Sequence, residues 1–457
     1  MIEKPTTKHS KSKRVATLAI VVILSLCTIS VEADRKIMRD SLDYQDNEQM
    51  RTIWQPAMGE EFAPLLQRSE QGVQLTDISG DCWSDTNTQR AVFLCQPALK
   101  APAYIQVEVS EFVPEDRYAQ VGLVAWADED NYIRNTIGFC PPGSEALAEF
   151  NGRTSSQGIY SSYPRGDSQR CLLRFDILNN AIRCYLSYDA RHWYCTGGFT
   201  LPNSRTVGEF FKGFGLLGVG GRMKQAPQFT NWEKGPLPRY RDDDFSDSVI
   251  GDHWTLGQTN GSWCSEQVQY YQNNGMLSIH PFSGSDIYLY YEQYPFAAME
   301  TPRANSWEIE IKLVAFNPQA KGLWNKAGIV FWEDNRHYLC EAVVADQEED
   351  QMYFEVLACG ASTSKGLAII NEGFQERTVT DVYFRIGKVS PGHFHLQASY
   401  NEKTWHSLGS FSAPFNNPQI RLFASGDVNI QYPEDYDFSA SFDYVKRLRN
   451  QQEKGTK

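Results

Sequence analysis

Several short motifs that mark common catalytic and metal-binding sites are missing from this chain of 457 residues. None of its ten cysteines forms a CxxC pair, and its eight histidines are scattered, which argues against a zinc site. GxSxG does not occur, so no serine-nucleophile elbow is indicated. No GxGxxG string or phosphate loop precedes a helical pattern, because no window shows an amphipathic helix of three turns.

Positive charge is also scarce. The chain carries 43 Lys and Arg against 56 Asp and Glu, a net charge of −13. A surface of this sign repels polyanions, so we expect neither nucleic acid nor anionic membrane as a partner. The plainest interpretation of the acidic excess is solubility.

A long apolar run occurs only near the N-terminus. Five basic residues precede the run from Val15 to Val31, which ends in a small-residue cleavage pattern before Asp34. We predict that residues 1–33 are a cleaved signal peptide and that the mature chain is secreted, extracellular or periplasmic. An uncleaved membrane anchor is the alternative, since a run of about 17 residues is at the lower limit for a span. Cleavage leaves 38 basic and 54 acidic residues, a net charge of −16, and no membrane span in the mature chain.

The cysteines suit an oxidising compartment, because nine remain after cleavage in a chain that we expect to be exported. Facing residues of an antiparallel pair lie about 4.5–5.5 Å apart at Cα, within disulfide range. Hairpin spacing suggests three disulfides, and elimination suggests a fourth between Cys140 and Cys171. Cys264 is then left over. The candidate pairs are Cys82 with Cys95, Cys140 with Cys171, Cys184 with Cys195, and Cys340 with Cys359.

One pattern occurs twice along the chain. GLVAWADEDNY at residues 122–132 recurs as GIVFWEDNRHY at residues 328–338, with the same glycine-to-tryptophan and glycine-to-tyrosine spacings. Similar matches flank both copies, and a charged, proline-containing stretch separates them. We predict a first domain at residues 40–236, a linker at 237–242, a second domain at 243–447 and a flexible tail at 448–457.

The apolar residues of both copies alternate with polar ones. IQVEVSEF, WEIEIKLVAF and HFHLQASY have period two and are rich in β-branched and aromatic residues. Turn residues interrupt them at intervals near ten residues. The pattern predicts an all-β chain of two tandem sandwiches or jelly rolls.

The repeated string is predicted to be a fold-defining hairpin. Its glycine allows close packing, and its acidic turn caps backbone groups. A calcium site at Asp128, Glu129 and Asp130 is the alternative. It is disfavoured because the second copy keeps only two of the acids, whereas calcium takes six to eight oxygen ligands. We expect no other cofactor.

The order of motifs resembles the concanavalin A-like lectin/glucanase domains, in particular the jelly-roll modules appended to family-43 β-xylosidases and related laminin-G-like proteins. The resemblance covers nearly all of the second copy. It rests on Asp244-Phe245, residues 328–338, the Ser399 to Trp405 stretch and Phe442-Asp443-Tyr444. The first copy matches more loosely, and both lack the glycine that the family usually has before the tryptophan. The resemblance implies a two-sheet jelly roll of about a dozen strands that is often associated with carbohydrate, although fold alone does not fix function.

Catalytic relatives hydrolyse glycans with carboxylates two residues apart on one strand. The nearest string is WEIEIKL, in which Glu308 and Glu310 share a face but no aspartate joins them. Alternating charge on a solvent-facing strand is the simpler explanation. We therefore predict no catalytic residue.

Aromatic residues are abundant, with 11 Trp, 23 Tyr and 25 Phe. Rings on a concave sheet face can stack on sugars. Trp54, Trp193, Trp254 and Trp405 recur in both copies and are predicted to be core. The glycan-binding candidates are Trp126, Tyr132, Arg134, Tyr288, Tyr290, Trp332, His337 and Tyr338.

The sequence thus favours a secreted, non-catalytic glycan-binding or accessory protein whose partner is an extracellular polysaccharide or other glycan. One alternative is a concanavalin A-like glycoside hydrolase with an unrecognised carboxylate pair, one of which has a raised pKa. The other is an adhesion module that binds protein through an exposed apolar patch.

Overall fold

The structure is a computed structural model of the full chain. It describes residues 37–83, 86–95, 101–138, 143–159, 170–259, 269–282, 285–288, 291–316, 324–346, 351–360, 373–374, 381–413, 415, 418–426 and 438–448. The predicted signal peptide, most of the predicted tail, Cys140, Cys264 and Tyr290 lie outside these residues. No helix in the described ranges is long and apolar enough to cross a membrane.

Residues 40–236, called here the first half, consist mainly of short strands. Its described helices are α1 (Asn47–Ile53), α2 (Val207–Phe210) and the 3-10 turns Glu60–Leu65 and Pro202–Ser204. With the preceding edge strand, its strands are β1 (Met38–Asp40), β2 (Trp54–Pro56), β3 (Leu66–Arg68), β4 (Val73–Leu75), β5 (Cys82–Trp83), β6 (Thr86–Asn87), β7 (Ala91–Cys95), β8 (Ala103–Ser110), β9 (Val113–Pro114), β10 (Gln120–Asp128), β11 (Asn131–Ile137), β12 (Ser144–Phe150), β13 (Arg153–Ile159), β14 (Arg170–Ile177), β15 (Ala181–Ser187), β16 (His192–Thr200), β17 (Gly213–Val219), β18 (Met223–Gln225) and β19 (Gln228–Pro236).

Residues 243–447, the second half, contain strands alone in their described part. These are β20 (Thr255–Gln258), β21 (Gln269–Asn273), β22 (Met276–His280), β23 (Asp286–Tyr288), β24 (Tyr291–Gln293), β25 (Pro295–Glu300), β26 (Trp307–Phe316), β27 (Asn325–Asp334), β28 (His337–Asp346), β29 (Gln351–Cys359), β30 (Gly373–Phe374), β31 (Val382–Ser390), β32 (His393–Ser399), β33 (His406–Ser412), β34 (Gln419–Ser425) and β35 (Ala440–Leu448). The predicted all-β fold class is confirmed.

Each half is built from two seven-stranded layers with the same order of strands. In the first half, β13-β12-β11-β10-β17-β7-β2 faces β3-β4-β19-β8-β14-β15-β16. In the second half, β30-β29-β28-β27-β34-β25-β20 faces β21-β22-β35-β26-β31-β32-β33. One apolar core fills each pair of layers, and the two cores span Leu42 to Trp232 and Phe245 to Val445. The division into domains at 237–242 remains a prediction, and Leu237 within the predicted linker is buried.

The repeated string forms the same hairpin twice. Trp126 lies opposite Tyr132, Trp332 lies opposite Tyr338, and a bulge follows each tryptophan. A Cβ on Gly122 would lie 2.2 Å from the Asn135 carbonyl oxygen. The corresponding Gly328 meets the Glu341 carbonyl at 2.1 Å. Both glycines recur because no side chain fits there.

The acidic turn of the first hairpin caps its own backbone, as predicted. The Asp128 carboxylate accepts hydrogen bonds from the Asp130 backbone N–H and the Asn131 amide at 3.0 and 2.7 Å. The Asp130 carboxylate accepts from Asn87 at 2.8 Å. The described residues contain no cluster of three metal-ligating side chains. The calcium alternative remains an untested prediction.

The predicted geometry of three cysteine pairs is wrong. The turn sets Cys195 opposite Tyr185. A bulge between Cys184 and Tyr185 then sets Cys184, which faces the first core, opposite Gly197. The other two hairpins turn at different residues than predicted. Cys340 lies opposite Leu357, Cys359 opposite Tyr338, Cys82 opposite Asn87, and Cys95 opposite Phe214, and none of the three pairs forms a disulfide. Pairing of Cys171 with Cys140 is untested because Cys140 lies outside the described residues.

A buried carboxyl distinguishes the second core from the first. In the first core Asn135 donates to the Tyr185 carbonyl and accepts from the Thr196 hydroxyl, both at 2.9 Å. Its counterpart is Glu341, which is fully buried and has no hydrogen-bond partner for either carboxyl oxygen in the described part of the chain. Burial raises the pKa of Glu341 well above its ordinary value.

We predict that Glu341→Gln stabilises the protein at neutral pH. The unfolded carboxyl ionises near pH 4.3, while the folded one stays protonated to higher pH. Wild-type stability therefore falls as pH rises between the two pKa values, by about 1.4 kcal/mol per unit. Urea unfolding at pH 4 and pH 7.5 measures this effect. The exposed Glu129→Gln is the control, and equal pH dependence in Glu341→Gln and wild type would contradict the prediction.

Candidate functional site

The predicted ring surface of the first half is covered by other parts of the chain. Trp126 and Tyr132 stack on each other at 5.5 Å, and both lie beneath the short β5–β6 hairpin. The Tyr132 hydroxyl lies 2.6 Å from the Cys82 carbonyl oxygen and 3.0 Å from the Glu149 carboxylate. Arg134 pairs with Glu145 at 2.7 Å and is 2% exposed. A sugar cannot stack on these side chains in this structure.

The equivalent surface of the second half is covered by the first half. Trp332 and Tyr338 are completely buried in an apolar cluster that also contains Tyr185, Trp193 and Cys195. A Cβ on Gly198 would approach Trp332 to 2.7 Å, which shows how closely the halves meet. The two rings therefore belong to a joint between the halves, and the prediction that they line an open face is wrong.

Among the predicted glycan-binding residues whose side chains are described, His337 alone is partly exposed. Its Nδ1 lies 2.8 Å from the Asp334 carboxylate, and this hydrogen bond raises the pKa of His337. Asp334 also accepts from the Thr200 hydroxyl at 2.6 Å, so this pair lies at the edge of the joint. Tyr288 lies in strand β23, and its side chain is outside the described part of the structure.

An open cleft of about 1290 Å³ lies where the two halves meet, and we call it the central cleft. It comprises residues 190–193, 236–241 and 249–256, with Ile37, Tyr104, Gln106, Arg174 and Glu233. Both halves and the predicted linker contribute to it. Sequence reasoning missed the cleft because no single motif contains it.

A parallel pairing of strands creates the cleft. The end of β16 pairs with β20, so that Trp193 lies opposite Gly257 and one 15-stranded sheet runs through both halves. A Cβ on Gly257 would lie 2.3 Å from the Trp193 carbonyl oxygen. Glycine at position 257 is thus required for the strands to approach.

One wall of the cleft is a chain of stacked and hydrogen-bonded side chains. The Arg174 guanidinium lies 4.8 Å from the centre of the Tyr104 ring and 5.4 Å from that of Trp193. Asp176 fixes Arg174 at 2.6 Å. Tyr104 donates to Glu233. Burial opposes ionisation of Glu233, but hydrogen bonds from Tyr104 and Arg39 outweigh it and lower the pKa of Glu233.

The same Arg–Trp pair recurs in the second half as Arg385 and Trp405, with the guanidinium 3.6 Å from the ring centre. Trp54, Trp193 and Trp254 are buried as predicted, whereas Trp405 is half-exposed. Arg174 and Trp193 lie in a cleft, unlike Arg385 and Trp405, because β20 and the predicted linker form a second wall beside them.

The opposite wall is held by one aspartate. The indole of Trp254 donates to Asp243 at 2.7 Å, and His253 Nε2 lies 3.0 Å from the same carboxylate. Burial lowers the pKa of His253 despite this neighbour. Tyr240 and His192 are half-buried along the rim and are the rings most accessible to a ligand.

Two carboxylates, Glu233 and Asp252, line the described cleft, and the other carboxylates singled out by the sequence or by a raised pKa lie elsewhere. The prediction that Glu310 faces solvent is wrong. Its side chain is 1% exposed, because Arg385 and Lys446 contact it at 2.7 and 2.6 Å. Burial raises the pKa of Glu341 and Glu355, which both lie away from the cleft. Glu355 is bound by the buried Lys326 at 3.2 Å.

No protein-family model and no curated protein matches the sequence. Similar solved structures include a xylan β-1,4-xylosidase from Bacillus halodurans, with 12% identity, a TM-score of 0.35, and coverage of 72% of this chain and 64% of the other. An endo-β-1,3-glucanase from Pyrococcus furiosus shows 15% identity, a TM-score of 0.31 and coverage of 46% and 93%. The CBM2 module of an evolved Dit protein from Lactobacillus casei phage J-1 shows 11% identity and a TM-score of 0.32. The match covers 46% of this chain and 94% of the module.

These similarities are low, and they carry no argument about activity. The chain spans slightly less than two thirds of the xylosidase.

We predict that Gly257→Ala weakens the joint, because the new methyl group overlaps the Trp193 carbonyl. Overpacking of this kind costs about 1–3 kcal/mol. Urea unfolding followed by tryptophan fluorescence measures the loss. Gly208→Ala is the matched control, since an added Cβ there meets no atom within 4 Å. Equal stability of the two variants would contradict the requirement for glycine at position 257.

Proposed function

We propose that this chain is a secreted, non-catalytic glycan-binding protein made of two concanavalin A-like sandwiches, and that it binds its ligand in the central cleft. The observation that carries the proposal is the cleft itself, which joins aromatic side chains with polar and charged groups in one opening. Its volume of about 1290 Å³ accommodates a short oligosaccharide, since small-molecule sites commonly measure about 300–1,000 Å³.

The chemistry of the cleft suits sugars. The half-buried rings of Tyr240 and His192 offer faces for C–H groups, while Gln106 and Arg174 offer donors for hydroxyl oxygens. A rigid site favours affinity because less side-chain freedom is lost on binding. Arg174 is held by Asp176 and two rings, and His192 by Asp189 at 2.6 Å.

The described carboxylates support a binding role over hydrolysis. The described cleft lining includes Glu233 and Asp252. A general acid for glycoside cleavage needs a raised pKa, whereas hydrogen bonds lower that of Glu233.

The test is binding of residues 34–457 to a glycan array with and without calcium, with release of reducing sugar followed in parallel. Saturable binding without sugar release is expected. Release of sugar would contradict the non-catalytic role, and absence of binding would contradict the glycan-binding role. Loss of binding with a chelator would support calcium at Asp128 and Asp130.

We predict that Trp193→Ala lowers glycan affinity at least tenfold, because it removes the ring against which Arg174 is positioned. The matched control is Trp405→Ala, which removes the corresponding ring outside the cleft and is expected to change affinity less than twofold. His192→Ala tests the same wall with a milder change, should Trp193→Ala fail to fold in a thermal melt. Equal losses in the Trp193 and Trp405 variants would contradict binding in the cleft.

A further inference from the structure

The central cleft is rich in cationic side chains although the whole chain is acidic. One carboxylate and one cation of the lining are already paired with residues outside it. Glu233 contacts Arg39 at 2.7 Å, and Arg174 contacts Asp176 at 2.6 Å. His192 and His253 each face an aspartate, at 2.6 and 3.0 Å. These pairs neutralise their own charges, so the remaining N–H donors of Arg174 suit neutral hydroxyl groups rather than an anion.

Three further arginines have no such partner. Arg191, Arg239 and Arg241 are exposed on the cleft, and none makes an ion pair with a carboxylate in the described part of the chain. Asp252 is the remaining acidic residue of the described lining. The lining therefore carries a local excess of positive charge in a chain whose net charge is −13.

Other cationic side chains lie near two of these arginines. Arg303, just outside the cleft, has its pKa lowered by burial and by the nearby charge of Arg239. Arg241 likewise disfavours the charged form of its neighbour His253. Like charges held near each other are unfavourable unless an anion lies between them. A solvated cationic rim is the ordinary explanation for one arginine, but three that line one cleft indicate a recognised anion.

The size and charge of the ligand follow from the rest of the surface. A guanidinium binds carboxylate, sulfate or phosphate oxygens through paired N–H donors. A long polyanion would meet the acidic surface beyond the cleft and be repelled. A short acidic group would not, because charges farther than about 8 Å are largely screened at physiological salt.

We infer that the central cleft recognises the acidic sugar of a glycan, a uronate or sulfated residue at or near a chain end, through Arg191, Arg239 and Arg241. This inference rests on the proposed glycan-binding function. It adds the class of sugar and the residues that select it.

The experiment uses isothermal titration of residues 34–457 with three probes of matched length. These are an oligogalacturonate, a sulfated oligosaccharide and a neutral xylo-oligosaccharide. The double variant Arg239→Gln/Arg241→Gln and the single variant Arg191→Gln are compared with Arg90→Gln, an exposed arginine outside the cleft. Thermal melts check that each variant folds.

At least one acidic probe should bind ten times more tightly than the neutral probe. Each cleft variant should lower that affinity at least fivefold and should lower neutral-probe affinity by a smaller factor, while Arg90→Gln changes neither. The preferred acidic probe then identifies uronate or sulfate as the recognised group. Equal binding of all three probes would overturn the acidic inference and leave the glycan-binding function intact. An equal loss of affinity in Arg90→Gln would also overturn the acidic inference, because it would indicate non-specific charge attraction. Absence of binding by all three probes would overturn both the acidic inference and the glycan-binding function.

Discussion

The joint between the halves depends on one buried arginine. The Arg421 guanidinium is completely buried, 3.6 Å from the centre of the Trp332 ring and 4.2 Å from that of Phe296. Its N–H groups reach Gln419 at 3.4 Å and the Cys195 sulfur of the first half at 3.5 Å. The described residues provide it no carboxylate, so ring faces and neutral acceptors compensate the charge. Cation–π contacts of this desolvated kind are worth about 2 kcal/mol or more.

This joint decides where a ligand can bind. Burying Trp332 and Tyr338 against the first half removes the outer sheet face of the second half from solvent. The ion pair of Arg183 with Glu300, at 2.7 Å, and the hydrogen bond of Tyr185 to Gln419, at 3.0 Å, tie the same faces together. Because the faces are occupied, the opening left beside the joint becomes the candidate site.

Much of the fold could be predicted from the sequence, because alternation and repetition are local. The register of Trp126 with Tyr132 follows from a short turn, and the close approach at Gly122 recurs at Gly328. The cysteine pairs could not be predicted, since a turn displaced by one residue and a bulge together set Cys195 opposite Tyr185 and Cys184 opposite Gly197. The cleft could not be predicted either, because it depends on contacts between residues far apart in sequence.

Backbone hydrogen exchange with and without the bound acidic oligosaccharide tests the central claim most directly, because it reports where the ligand lies. The account predicts slower exchange on binding at residues 190–193, 239–241 and 249–256, around the central cleft. Exchange in the paired hairpins at 120–137 and 325–346 should stay unchanged. Protection of those hairpins without protection of the cleft would place the ligand on the sheet faces and contradict the account.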